Sequence, residues 1–120
     1  MKFYLSSLLL LGINLISFAK PQKLKHVVTI TFTANATDAQ IKEIDDSFQS
    51  LTKLAVVKGY EWGTAVNQRD TKLRQHVYAF TFDQASDLEI YGKSKEHLAH
   101  IKVGADITAG VSAVDYLVND

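Results

Sequence analysis

Four histidines, five tyrosines and no cysteine set the chemistry open to this 120-residue chain. Thiol nucleophiles, disulfides, Cys-ligated zinc and iron–sulfur clusters are excluded together, so any reaction rests on imidazole, phenol and carboxylate groups. Tyr91 and His97 are the candidate catalytic pair. An imidazole with its ordinary pKa of about 6.5 accepts a proton at neutral pH, and a phenol both donates and accepts a hydrogen bond. His97 can abstract a proton next to a carbonyl while Tyr91 steadies the developing oxyanion. The plainer readings are a helix-surface histidine and a core aromatic with its hydroxyl at the rim. A metal site needs three or four converging ligands, and the histidines offer no His-x-x-x-His pair; His97 and His100, three apart, are the one pair worth testing. No nucleophile or cofactor motif is present, and neither metal nor cofactor is expected.

These residues need a frame. Lys25 to Thr33 alternates, with His26, Val28, Ile30 and Phe32 on one face, which reads as a strand. Thr37 followed three later by Gln40 has capping-box form. The helix it opens carries Ile41, Ile44, Phe48, Leu51 and Leu54 or Ala55 as an apolar stripe and is expected to end at Gly59. Tyr60 to Val66 reads as a second strand, and His76 to Phe82 as a third with His76, Tyr78, Phe80 and Phe82 on one face. Asp83 can cap a second helix carrying Leu88 and Tyr91, with a further turn or two after Gly92, and Val111 to Val118 is the last strand.

Strand, helix, strand, strand, helix, strand is the order of a ferredoxin-like α+β fold, a four-stranded antiparallel sheet with helices on one face. The second helix reverses the third strand, so His97 is expected near His76, which joins the candidate catalytic set. His26 is expected at the far end of the sheet, roughly 15–20 Å away at about 3.4 Å per residue. The aromatics Phe32, Phe48, Trp62, Tyr78 and Phe80, with His26, are enough to line a ligand pocket. Filling a core is their alternative use, Trp62 included. The other sheet face offers Val27, Val77, Ala79, Val114, Tyr116 and Val118, which water should not meet. A second copy of the chain, packed face to face, is the economical cover.

Thirteen basic residues balance thirteen acidic ones, leaving no excess charge for a phosphate backbone, so nucleic acid is not an expected partner. With 47% hydrophobic residues, one proline and six glycines the composition is globular. Lys2, an apolar run from Phe3 to Phe18 and small residues at Ser17 and Ala19 have the three parts of a secretory signal peptide cleaved after Ala19. The run is short for the ~20 residues of a membrane span. Residues 1–19 are therefore expected to be removed and 20–120 to form one exported domain, secreted or periplasmic and free of the membrane. Asn35-Ala36-Thr37 is a glycosylation sequon.

The ordered set His26-Val27-Val28, Glu61-Trp62-Gly63, His76 to Phe82, Tyr91 with His97, and Asp115-Tyr116 resembles the stress-responsive dimeric α/β-barrel family. The resemblance implies a homodimer whose two sheets form a barrel, with a pocket between sheet and helices in each subunit. The family is similar to a plant polyketide cyclase that closes an aromatic ring without a cofactor, using a Tyr and a His spaced as Tyr91 and His97 are. Many members read His-Pro-x-His where this chain has Ser94-Lys95-Glu96-His97. Three functions follow: a module binding a small apolar or aromatic ligand, a cofactor-independent lyase, cyclase or isomerase, and a structural stress protein.

Overall fold

The structure, a computed structural model, describes residues 20–67 and 69–120; the expected signal peptide lies outside the described residues. Its elements are β1 (Leu24–Phe32), α1 (Asp38–Ser50), β2 (Gly59–Thr64), β3 (Gln75–Phe82), α2 (Ser86–Lys93), α3 (Lys95–His100) and β4 (Thr108–Leu117). The four strands form one antiparallel sheet in the order β2-β3-β1-β4, the ferredoxin-like arrangement. No helix among the described residues is long and apolar enough to cross a membrane.

The alternation in β1 and β3 decides the layering. Val28, Ile30 and Phe32 from β1 and Tyr78, Phe80 and Phe82 from β3 are buried against Ile41, Ile44 and Phe48 of α1 and Tyr91 of α2. Thr37 caps α1 as its spacing requires: its hydroxyl accepts from Gln40 N while Gln40 Oε1 accepts from Thr37 N. Leu51 anchors the following 3-10 turn (Leu51–Lys53) in the core, fully buried.

Several boundaries differ from the sequence reading. α1 ends at Ser50, and Gly59 opens β2 instead of closing the helix. The hydroxyls of Ser50 and Thr52 donate to the carbonyls of Ser47 and Gln49, drawing off acceptors that a continuing helix would use. Gly59 sits opposite Thr81, whose Oγ1 would lie 3.0 Å from an added Cβ, so the residue serves strand pairing. β2 accordingly stops at Thr64. Asp83 does not cap α2, which starts at Ser86 from Ala85 without a side-chain cap. β4 starts three residues earlier than its apolar run. The second helix is also divided: Ser94 ends α2 and caps α3, its hydroxyl donating to Tyr91 O and accepting from His97 N.

Gly104, in the turn between α3 and β4, holds φ +67°, and a Cβ there would meet Ile44 Cδ1 at 2.3 Å. Left-handed backbone and close approach both demand glycine. Gly104→Ala is expected to destabilise the fold by about 1–3 kcal/mol, checked by urea unfolding; an unchanged midpoint would contradict the packing of this turn on α1.

Candidate functional site

A cavity of about 430 Å³ opens between the sheet and the helices on the β1/β4 side. Its floor is His26, Val28 and Ile30 of β1 with Val111 and Ala113 of β4; Ile44 and Phe48 of α1 form one wall, and Tyr91, His97, His100 and Ile101 the other. It is open because β4 is an edge strand that the helices do not reach: Val111 points to the helix side yet is 65% exposed.

The polar groups converge at one end. His26 pairs in register with Asp115 across β1 and β4, which puts both side chains on the helix side of the sheet. His26 Nδ1 lies 2.5 Å from Asp115 Oδ1. A carboxylate accepts, so Nδ1 carries the proton and Nε2 is the basic nitrogen. The Tyr91 ring stands edge-on to His26 at 5.7 Å and 4.8 Å from His97, measured between centroids. His97 Nδ1 donates to Gly92 O at 3.1 Å, which leaves its Nε2 basic as well. Burial, together with the nearby His26, outweighs that bond and holds the His97 pKa below its ordinary value, so the ring is neutral at pH 7. Burial, with a contribution from Tyr60, pushes the Tyr91 phenol well above the usual tyrosine range, keeping it a hydrogen-bond donor. A neutral His97, a carboxylate-held His26 and a phenol thus share one end of an apolar cavity, the components of a proton transfer beside an oxygen function.

His76 is elsewhere, and His26 stands where His76 was expected. The register places His76 opposite Ile30 and His26 opposite Phe80, about 13 Å apart along the strands at ~3.3 Å per residue. α2 does run back over β3, but a helix rises only about 1.5 Å per residue. Tyr91 has therefore returned only as far as Phe82 and Phe80, at 5.2 and 5.4 Å, and these lie across from Leu24 and His26. His76 instead donates through Nδ1 to Asp45 Oδ1 at 2.8 Å, and the same oxygen accepts from the Tyr78 hydroxyl at 2.6 Å.

Of the aromatics expected to line a ligand pocket, Phe48 does line the cavity with His26. Phe32, Tyr78 and Phe80 are core, and Trp62 is half-exposed, stacked on Tyr78 on the other side of the molecule. Asp45 was missed by sequence reasoning, although it sits between Ile41 and Phe48 at helical spacing and so lies on the apolar stripe of α1. His100 is half-buried against Phe48, at 4.2 Å between ring centroids, with Nδ1 2.7 Å from Ser47 Oγ. No grouping of three or more His, Asp or Glu side chains that could hold a metal ion occurs among the described residues.

Comparison with known proteins matches this geometry to a family. A family model described as Stress responsive A/B Barrel Domain matches residues 24–118. Among solved structures the chain is similar to a hydroxynitrile lyase from Passiflora edulis, at 22% identity and TM-score 0.72, over 83% of this chain and 96% of that one. It is also similar to a dimeric protein of unknown function and ferredoxin-like fold from Bacteroides fragilis, at 22% identity and TM-score 0.65, over 83% and 100%. A dabb family protein with a ferredoxin-like fold from Mesorhizobium loti gives 14%, 0.70, 82% and 99%. No curated protein sequence matches.

His100 makes the site wall pH-sensitive. Burial, reinforced by His97, lowers its pKa to about 4 in the fold, against about 6.5 in the unfolded chain. Between those values the unfolded chain binds the proton and the native one does not. Stability is therefore full above pH ~6.5, falls as pH drops towards ~4, and levels off below; His97 acts in the same direction. Discounted for solvent screening, the loss is about 2 kcal/mol. Urea unfolding at both ends of this window should show it in the wild type and show roughly half or less in His100→Asn; equal losses would contradict this account.

Proposed function

The chain belongs to the stress-responsive A/B barrel (Dabb) family, and from that membership we propose that it is an exported homodimer that binds a small, mostly apolar or aromatic ligand in the cavity between sheet and helices. The observation that carries the reading is the cavity itself, with apolar walls and a single polar end made by His26, Tyr91 and His97. Such a shape favours a ligand whose hydrocarbon body lies along Val28, Ile30 and Val111 and whose oxygen function meets the histidines. Lys2, the apolar run and Ser17-Phe18-Ala19 support export.

Dimerisation is supported by the outer sheet face, where register aligns Val27 with both Ala79 and Val114. Val114 and Tyr116 are 59% and 49% exposed there in the single chain. The Bacteroides fragilis relative is described as dimeric.

The His26–Asp115 pair favours a second reading, a cofactor-independent lyase, since a base oriented through Nδ1 is more than a binding pocket requires. The likeness to a hydroxynitrile lyase suggests the reaction to try. With a cyanohydrin, one histidine Nε2 takes the hydroxyl proton, the bond to the nitrile carbon breaks, cyanide leaves and the carbonyl forms beside Tyr91.

Two measurements test these readings. The protein isolated from its native host should sediment as a dimer of chains starting at Lys20 by intact mass. Val114→Lys, burying an unpaired charge between the sheets at a cost of several kcal/mol, should dissociate it; a wild-type monomer, or a chain retaining Met1, overturns that part. Calorimetric titration should show benzaldehyde binding roughly tenfold more weakly to Ala113→Phe, whose ring fills the cavity from its β4 side. Cleavage of mandelonitrile that disappears in His97→Ala selects the lyase, binding without turnover selects the module, and neither overturns both.

A further inference from the structure

We propose that Asp45 and His76, backed by the buried Tyr78 hydroxyl, form the floor of a second binding site, separate from the first, that takes a neutral hydroxylated ring of the monosaccharide type beside Trp62. A cavity of about 320 Å³ lies between the first turns of α1 and the β2/β3 end of the sheet, and both Asp45 and His76 line it. The stack of Phe48 on Tyr78, 3.7 Å between centroids, closes the core between this cavity and the first.

The floor is a built arrangement. The side chains of Asp45 and His76 are only 12% and 16% exposed, in a core whose fully buried members are otherwise apolar. An apolar pair of the same volume would serve stability as well or better, so a buried carboxylate–imidazole pair calls for another reason. Asp45 Oδ1 accepts from both His76 Nδ1 and the Tyr78 hydroxyl. With Nδ1 held by the carboxylate, His76 Nε2 is the ring nitrogen left to meet an incoming hydroxyl group.

The walls decide what kind of ligand fits. Asp38, Lys42 and Asp45 of α1 and Arg74 all line the cavity, two carboxylates and two cations, with Lys42 also paired to Asp46 and Arg74 to the carbonyls of Thr33 and Ala36. An anion would meet the carboxylates and a cation the basic pair, whereas a neutral ligand with several hydroxyl groups finds donors and acceptors alike. Thr64 adds a further hydroxyl. Trp62, 46% exposed, holds its ring 5.4 Å from that of His76 and nearly parallel to Tyr78. Trp62 stands outside the cavity lining but next to His76, and a half-exposed indole beside these polar groups suits the C–H face of a sugar ring.

Trp62 is the single tryptophan of the chain, so its emission reports on this site alone. Glucose, galactose and N-acetylglucosamine, each titrated into the full chain through the millimolar range, should include at least one giving a saturable change in Trp62 fluorescence. That change should survive in Ala113→Phe, which blocks the first cavity, and require roughly tenfold more sugar in Asp45→Asn. Thr64→Val, on the surface of the site, gives the same comparison should Asp45→Asn unfold. Absence of a saturable change with all three sugars, an unchanged midpoint in the variants, or saturation by acetate or ammonium instead, overturns the proposal.

Discussion

The strand β1, hydrogen-bonded along both edges, is the constraint from which the rest follows. From Leu24 to Thr31 each residue of β1 has a fixed partner on β3 and another on β4, and a slip of one residue on either side would turn every side chain to the other face. This double pairing puts His26 level with Phe80 on one side and Asp115 on the other. Phe80 is where the returning helix lays Tyr91, and Asp115 is what orients the imidazole. The polar end of the cavity is thus a property of strand register more than of any local motif.

The edge strand explains the openness of the site. α1 and α2 cover β3 and β1, burying Tyr78, Phe80 and Phe82 almost completely, but their span leaves the inner face of β4 uncovered. Val111 and Ala113 consequently face a cavity instead of a core, and α3, which has no buried residue of its own, closes the far wall through His97 and His100. On the opposite surface the same strand offers Val114 and Tyr116 beside Val27, which is why the functional reading includes a partner copy.

Much of the frame was legible in the residues because it is written in local periods. The alternation of His26 to Phe32 and of His76 to Phe82, and the Thr37–Gln40 cap, depend on neighbours within a few positions. The family resemblance rested on the same segments and on Tyr91, His97 and Asp115-Tyr116. The assembly of the site was not legible, because it depends on the different rises of helix and strand. The reversal of the third strand by the second helix pointed His97 towards His76; at ~1.5 Å against ~3.3 Å per residue the helix reaches only Phe80 before Ser94 turns it. The pairing of His26 with Asp115, distant in sequence, is invisible to any window. Asp45 carried a readable signal, a carboxylate on the apolar stripe between Ile41 and Phe48, which finds its meaning only once His76 and Tyr78 are seen opposite it.

The central claim is that His26, Tyr91 and His97 share one site in which both imidazoles are held through Nδ1, with His76 in another place. Long-range proton–nitrogen NMR correlation of the histidine rings at pH 7.5, with nuclear Overhauser contacts recorded on the same sample, tests it most directly. The account predicts a protonated Nδ1 on both His26 and His97, a bare Nε2 on His97, and ring contacts of Tyr91 with both. A bare Nδ1 on either ring, or contacts of Tyr91 and His97 with His76 in place of His26, would contradict it.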